Sequence, residues 1–136
     1  MPTLPDDQSV DVIVLGAGAS GLLCAAVAAS RGLSVLVLEK ANKVGKKILM
    51  SGGGRCNFTN LIVDAEHFIS NNPKFCKSAL KRFMPVDFIK MIEEHGIEYE
   101  EKKHRQLFCV NSSKDILNML LLECSSLGVK IHTDCE

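Results

Sequence analysis

Residues 10–15 form a short, nearly continuous apolar run rich in β-branched side chains, the pattern of a parallel strand buried on both faces. The run ends at Gly16, where small and polar residues take over. Residues 22–30 are dominated by alanine and leucine, good helix formers, and Gly32 follows as a stop. Residues 34–38 are apolar again and predict a second strand. After Glu39 the pattern changes. Residues 40–60 are polar and glycine-rich, keep no sustained period, and carry Lys40, Lys43, Lys46 and Lys47 ahead of a triple glycine. They read as a long loop of the functional kind.

Beyond the loop, residues 64–72 predict a short helix ending before Pro73, and residues 74–83 a second one. Pro85 suits the first turn of a third, with Phe88, Ile89 and Ile92 on one face and Gly96 beyond its end. Residues 97–101 and 106–110 predict two short strands around the charged turn 102–105. Ser112 and Asp115 make a capping-box start for a further helix, in which Leu117, Leu120, Leu121 and Cys124 recur at the spacing of a core stripe. Gly128 ends that helix, and residues 129–133 predict a third strand of the main sheet.

This alternation implies an α/β chain with a Rossmann-like FAD/NAD(P)-binding domain. Its parallel sheet takes the strand order 3-2-1, with a helical and β-hairpin excursion between strands 2 and 3. Ligand in such sheets binds where strand 1 meets strand 4. No strand 4 follows in these residues, so the expectation is a domain truncated before it, the N-terminal portion of something larger whose first strand has an unpaired edge. Residues 1–9 are expected to be a disordered lead-in and residues 10–136 the dinucleotide-fold unit.

The first chemical signal is Gly16-x-Gly18-x-x-Gly21 between strand and helix. The first glycine turns the chain out of the strand, the second lets the backbone approach a pyrophosphate, and the third lets helix and sheet pack closely. Backbone N–H groups at Ala19, Ser20 and Gly21 would then face the phosphates at the positive end of the helix. Glu39, ending the second strand, is placed to accept hydrogen bonds from adenosine ribose hydroxyls and would repel a 2′-phosphate, which favours FAD or NAD over NADP.

Composition excludes several other classes. The 16 basic and 16 acidic residues of this 136-residue chain cancel, which argues against nucleic acid as a partner. The N-terminus has no signal-peptide pattern, and the apolar stretch from residue 10 to 38 is broken into pieces too short for a bilayer, so no membrane partner is expected. Cys24, Cys56, Cys76, Cys109, Cys124 and Cys135 show neither a C-x-x-C pair nor zinc spacing, and fit a reducing cytoplasm. His67, His95, His104 and His132 offer no relay or metal spacing and read as surface or structural imidazoles. No metal site and no catalytic acid or base is identified. A P-loop is ruled out because no glycine stands five positions before Gly45-Lys46.

The stretch Gly45-Lys46-Lys47-Ile48-Leu49-Met50-Ser51-Gly52-Gly53-Gly54-Arg55-Cys56-Asn57-Phe58-Thr59-Asn60 closely resembles the aminoacetone oxidase-like (YhiN/BaiN-type) family of NAD(P)/FAD-dependent oxidoreductases. The resemblance extends over essentially the whole chain, including Gln106-Leu107-Phe108-Cys109. It implies noncovalent FAD and a cytoplasmic flavoenzyme performing two-electron chemistry on a small organic substrate, with NAD(P)H as a possible donor. It further implies that Gly16, Gly18, Ala19, Ser20 and Gly21 serve the pyrophosphate and that Glu39 and Lys40 serve the adenosine side. Lys47, Ser51, Gly52, Gly53, Gly54 and Cys56 would lie along the phosphates, ribityl chain or flavin ring. Two other readings stand beside it: a tRNA-modifying flavoprotein, and a truncated, non-catalytic dinucleotide-binding fragment. Cys56 as half of a redox dithiol is disfavoured, because no second cysteine follows until Cys76.

Overall fold

The computed structural model describes residues 9–135, so all of the expected lead-in except Ser9 lies outside the described residues. Three strands, β1 (Val12–Leu15), β2 (Val35–Leu38) and β6 (Lys130–His132), form a parallel sheet in the order β1-β2-β6. This is the 3-2-1 order expected, with β1 at an edge. Val12 to Leu15 pair in register with Val35 to Leu38. Past the strand ends the pairing is carried on by Gly16 N–H donating to the Leu38 carbonyl at 2.7 Å and Glu39 N–H to the His132 carbonyl at 2.8 Å.

Of two long helices, α1 (Ala19–Ser30) packs on β1 and β2, and α5 (Ser113–Ser126) packs along α1. Leu22, Ala25, Ala26 and Ala29 recur every three or four residues and bury one stripe of α1, while Ile116, Leu117, Leu120 and Cys124 do the same on α5. The alanines allow close approach: the Cys124 thiol reaches the Leu22 carbonyl at 3.3 Å. Met119 joins the buried set and Leu121 is only half-buried, a one-position shift of the expected stripe. The capping box forms as read, Ser112 Oγ accepting from Lys114 N–H at 3.1 Å and Asp115 Oδ2 from Ser112 N–H at 3.3 Å.

The expectation that β1 is buried on both faces is not met. Val12 and Val14 pack against the core, but Ile13 and Leu15, pointing to the opposite face, are 58% and 81% exposed. Apolarity specifies what a strand seeks to bury, and the packed core lies on one side of β1 only.

The excursion needs more correction. Residues 64–72 make one 3-10 turn at Ala65–His67 and then run irregularly. Their polar side chains bond to nearby backbone instead of leaving it to a helix: Ser70 Oγ accepts from Asn72 N–H at 2.9 Å and Asn72 Oδ1 from Lys74 N–H at 3.2 Å. The second helix shortens to α3 (Lys77–Arg82), and the third forms as expected, α4 (Pro85–Glu94), its first turn capped by Asp87 accepting from Met84 N–H at 2.7 Å. The loop of residues 40–60 is not structureless. It holds a five-residue helix, α2 (Lys46–Met50), and a strand, β3 (Asn57–Asn60), which pairs antiparallel with β5 (Gln106–Cys109). The other neighbour of β5 is β4 (Tyr99–Glu101), the expected hairpin partner. His95 is structural, as read: Nε2 lies 3.0 Å from Glu123, tying α4 to α5.

Leu22 is fully buried between α1 and its neighbours. Leu22→Ala is expected to lower stability by about 2–5 kcal/mol, read from the urea midpoint at unchanged slope.

Candidate cofactor-binding site

The turn from β1 into α1 is shaped by glycines for different reasons. Gly16 has φ +97°, a conformation other residues rarely adopt. At Gly21 a Cβ would overlap the Gly16 carbonyl oxygen and sit 3.5 Å from Val14 Cγ1, so only hydrogen lets the helix begin this close to the strand. Gly18 is neither: its φ is an ordinary −88°, and no protein atom lies within 4 Å of where its Cβ would stand. What a side chain at Gly18 would fill is open space. Gly18 stands at the N-terminus of α1 and supplies no side-chain cap, so the first-turn amides border that space without an intrahelical acceptor.

The second glycine segment is drawn onto this turn. Gly45 N–H donates to the Ala17 carbonyl at 2.8 Å, and a Cβ on Gly45 would collide with Leu117 of α5. Ile48 is buried, and Ser113 Oγ donates to the Leu49 carbonyl at 3.1 Å, so α2 is clamped to α5 along its length. The chain then turns back through Gly52, Gly53 and Gly54, at φ +58°, +64° and +89°, and through Cys56 at φ +49°. Three left-handed residues in succession require glycine. At Gly52 a Cβ would also stand 2.7 Å from Phe108 and 2.8 Å from the Asn57 nitrogen.

Between the two segments lies a cavity of about 920 Å³, at the large end of the range for small-molecule and cofactor sites, roughly 300–1,000 Å³. Of the residues expected at the site, Gly18, Ala19, Ser20, Glu39, Lys47, Ser51 and Cys56 line it. Gly16, Gly21, Lys40, Gly52, Gly53 and Gly54 do not; Gly16, Gly21, Gly52, Gly53 and Gly54 shape the backbone behind it. The structure adds Lys46, Asn57 and Thr59 to the polar wall. Phe58, Val63, Leu80, Phe83, Met84 and Phe88 make the far end apolar. Phe58 packs with Phe88 at 5.9 Å and edge-on to Tyr99 at 5.7 Å. Lys46 stood next to Lys47 in the same motif; the aromatic wall had no sequence signal, because it is assembled from β3 and α4.

Glu39 does more than face a ribose. Its Oε2 accepts from Ala17 N–H and its Oε1 from Ala41 N–H, both at 2.7 Å, pinning the glycine turn to the end of β2. The Ala41 bond, then the Ala17 bond, and then nearby Lys46 hold its carboxyl below the usual value of 4.5. Each oxygen retains a lone pair for a ligand hydroxyl.

Cys56 has a neighbour that its sequence position concealed. Cys109, at the end of β5, lies beside it, with Cys109 N–H donating to the Arg55 carbonyl at 2.9 Å, and both thiols are buried. Burial pushes the Cys109 thiol up to about 12, with Cys56 adding to the shift, and burial raises Cys56 as well against a hydrogen bond with Ser51. Neither is a thiolate at neutral pH. Arg55 pairs with Glu100 at 3.3 Å with both side chains half-exposed, a contact worth little. Among the described residues no cluster of metal-binding side chains occurs, and no helix is long and apolar enough to cross a membrane.

Comparison with known proteins follows the same outline. The HI0933-like protein Rossmann domain matches residues 10–136. A ribosomal RNA dihydrouridine synthase of Escherichia coli is 53% identical over 129 residues, 95% of this chain and 32% of that protein. A 3-dehydro-bile acid delta(4,6)-reductase of Clostridium scindens is 32% identical over 88% of this chain and 30% of its own length. The chain thus spans about a third of the length of these relatives. Among solved structures, the 3-ketosteroid-delta4-(5alpha)-dehydrogenase of Rhodococcus jostii superposes with a TM-score of 0.64 at 16% identity, covering 97% of this chain and 39% of that one, a likeness of fold. The expected family is thereby met at the level of the Rossmann domain, and aminoacetone oxidase is not the name these relatives carry.

Two outcomes follow. A carboxyl whose folded value lies below 4.5 contributes stability in full above that pH and loses it as pH falls toward the folded value. Glu39→Gln should therefore melt several degrees lower at pH 7 and lose part of the acid-side decline in melting temperature. In thiol alkylation at pH 7.5, exposed Cys24 should react first, and Cys56 and Cys109 only on unfolding.

Proposed function

The chain belongs to the HI0933-like Rossmann-domain family, and on that footing we propose that it forms the cofactor-binding part of an FAD-dependent oxidoreductase that saturates the C5–C6 double bond of a uracil base in ribosomal RNA. The observation that carries the cofactor is the convergence of two glycine segments on one cavity, polar at the α1 end and aromatic at the other. A dinucleotide with a charged middle and a flat ring has that same division. The open space at Gly18 is what close approach of a pyrophosphate needs. In this reading the amides of Ala19 and Ser20 and the ammonium groups of Lys46 and Lys47 hold the diphosphate, Glu39 holds the ribose, and Ser51, Cys56 and Asn57 line the path toward the ring.

Bound FAD would supply the electron pair, delivered as hydride and replenished by NAD(P)H. The residues of this chain bind and orient it, and the half-buried aromatic wall of Phe58 and Phe88 limits water on one side. The substrate rests on the Escherichia coli relative, 53% identical. Uracil presents an alkene conjugated to a carbonyl. A second reading, reduction of a small conjugated ketone, draws on the Clostridium scindens relative and on the apolar end of the cavity. Both share one chemistry: hydride to one alkene carbon and a proton to the other.

The full-length protein should purify with flavin absorbance and release FAD on heating; Gly18→Val should retain less than a tenth of the flavin while keeping its circular dichroism. Expressed in a host lacking its own ribosomal dihydrouridine, it should add two hydrogens to a ribosomal RNA uridine, read by nucleoside mass spectrometry. A colourless protein that binds only NADH sinks the cofactor. A flavoprotein that reduces conjugated ketones and leaves the RNA unchanged selects the second reading.

A further inference from the structure

The charges of this chain cancel in total and separate along its length. Residues 68–86 contain Lys74, Lys77, Lys81 and Arg82 and no acidic residue, whereas residues 87–101 contain Asp87, Glu93, Glu94, Glu98, Glu100 and Glu101 against Lys90 alone. The four cations of the first stretch are exposed, and none appears among the ion pairs of the described residues, which use Arg55, Lys90, His95, Lys102 and Arg105. Interleaved with them are apolar side chains that the fold leaves uncovered: Phe75 is 82% exposed, Ile69 wholly so, and Phe68 nearly half. The same stretch borders the cofactor cavity, because Leu80, Phe83 and Met84 form part of its wall.

A second cleft continues the surface. It shares Val63 with the cavity and is lined by His67, Phe68, His104 and Arg105. His104 and Arg105 adopt φ of +60° and +62°, consecutive left-handed conformations that are unfavourable for these residue types. Such strain persists where the surroundings impose it, commonly at ligand-contacting positions. Here Asn60 Nδ2 donates to the His104 carbonyl at 2.9 Å and Leu61 N–H to the Arg105 carbonyl at 2.9 Å.

We infer that residues 68–86 form an RNA-docking surface at the mouth of the cofactor cavity, on which Lys74, Lys77, Lys81 and Arg82 contact phosphates and Phe75 stacks on an unpaired base. The inference rests on the proposed RNA substrate and adds where that RNA is held. Uncompensated cations interleaved with exposed aromatics are what single-stranded nucleic acid binds, since every base offers a flat face and every nucleotide a charge. An anionic membrane would also attract the cations. The geometry favours RNA: α3 has only six residues, too short for the long amphipathic helix that lies in a bilayer interface, and a membrane has no need of a catalytic cavity beside the patch. A base to be reduced must leave its stack to reach a buried ring, and a basic aromatic rim holds the strand open there.

The full-length flavoprotein is titrated with in vitro transcribed ribosomal RNA at several KCl concentrations. It is compared with Lys74→Gln/Lys77→Gln/Lys81→Gln/Arg82→Gln and, separately, with Phe75→Ala. The fourfold variant should bind on the order of 10–100-fold more weakly, with the slope of log affinity against log salt flatter by about 2 to 3. Phe75→Ala should bind about tenfold more weakly at unchanged slope. Flavin content and reduction of a small redox dye should stay at wild-type values in both. Wild-type affinity and slope in the fourfold variant overturn the surface, as does its loss of retention on phosphatidylglycerol vesicles with RNA binding intact. If wild-type protein makes dihydrouridine while the fourfold variant binds RNA normally, only the surface falls. If wild-type protein neither binds RNA nor makes dihydrouridine, the substrate reading falls with it.

Discussion

The site depends on one short contact, the Gly45 amide bonded to the Ala17 carbonyl at 2.8 Å, with Leu117 pressed so close that Gly45 has no room for a Cβ. That contact joins two segments nearly thirty residues apart. The first leaves a parallel strand and opens a helix; the second opens α2 and then leads through the triple glycine into an antiparallel sheet. Without their junction each glycine segment would be an ordinary turn. With it, the amides at the start of α1, the Glu39 carboxylate and the Lys46–Lys47 pair border one cavity. The helix α5 is the shared backstop, since its buried face holds both α1 and α2.

Electrostatics within the site serve structure and binding together. Glu39 accepts from two backbone amides before any ligand arrives, so the carboxylate that would read a ribose also sets the angle at which the glycine turn meets β2. Preorganisation of this kind lowers the cost of ordering on binding. The buried thiols of Cys56 and Cys109 run the other way. Their surroundings hold them protonated, so they act as small apolar groups of the buried core.

Net charge is a sum and hides how charge is distributed along the chain. A total of zero over 136 residues conceals a basic stretch before α4 and an acidic one from α4 to β4. Electrostatic attraction is local, screened within about 8–10 Å at ordinary salt, so a polyanion responds to the patch and not to the sum.

The sequence alone determined the α1 helix, most of the α5 core stripe, the helix starts at Ser112 and Pro85, and the glycine turn at Gly16, because each follows from periodicity or from a conformational demand acting within a few residues. The parallel sheet and its order followed from the alternation of strands and helices through the handedness of their connections. It underread residues 40–60, where β3 is polar and forms only through pairing with β5, some fifty residues later. It overread residues 64–72, where serine and asparagine side chains claimed the backbone. Tertiary structure alone decided that Cys109 lies beside Cys56, that Phe58 and Phe88 wall one cavity, and that Ile13 and Leu15 face outward. Those outcomes depend on which distant segments meet, and chain-local propensity carries no information about that.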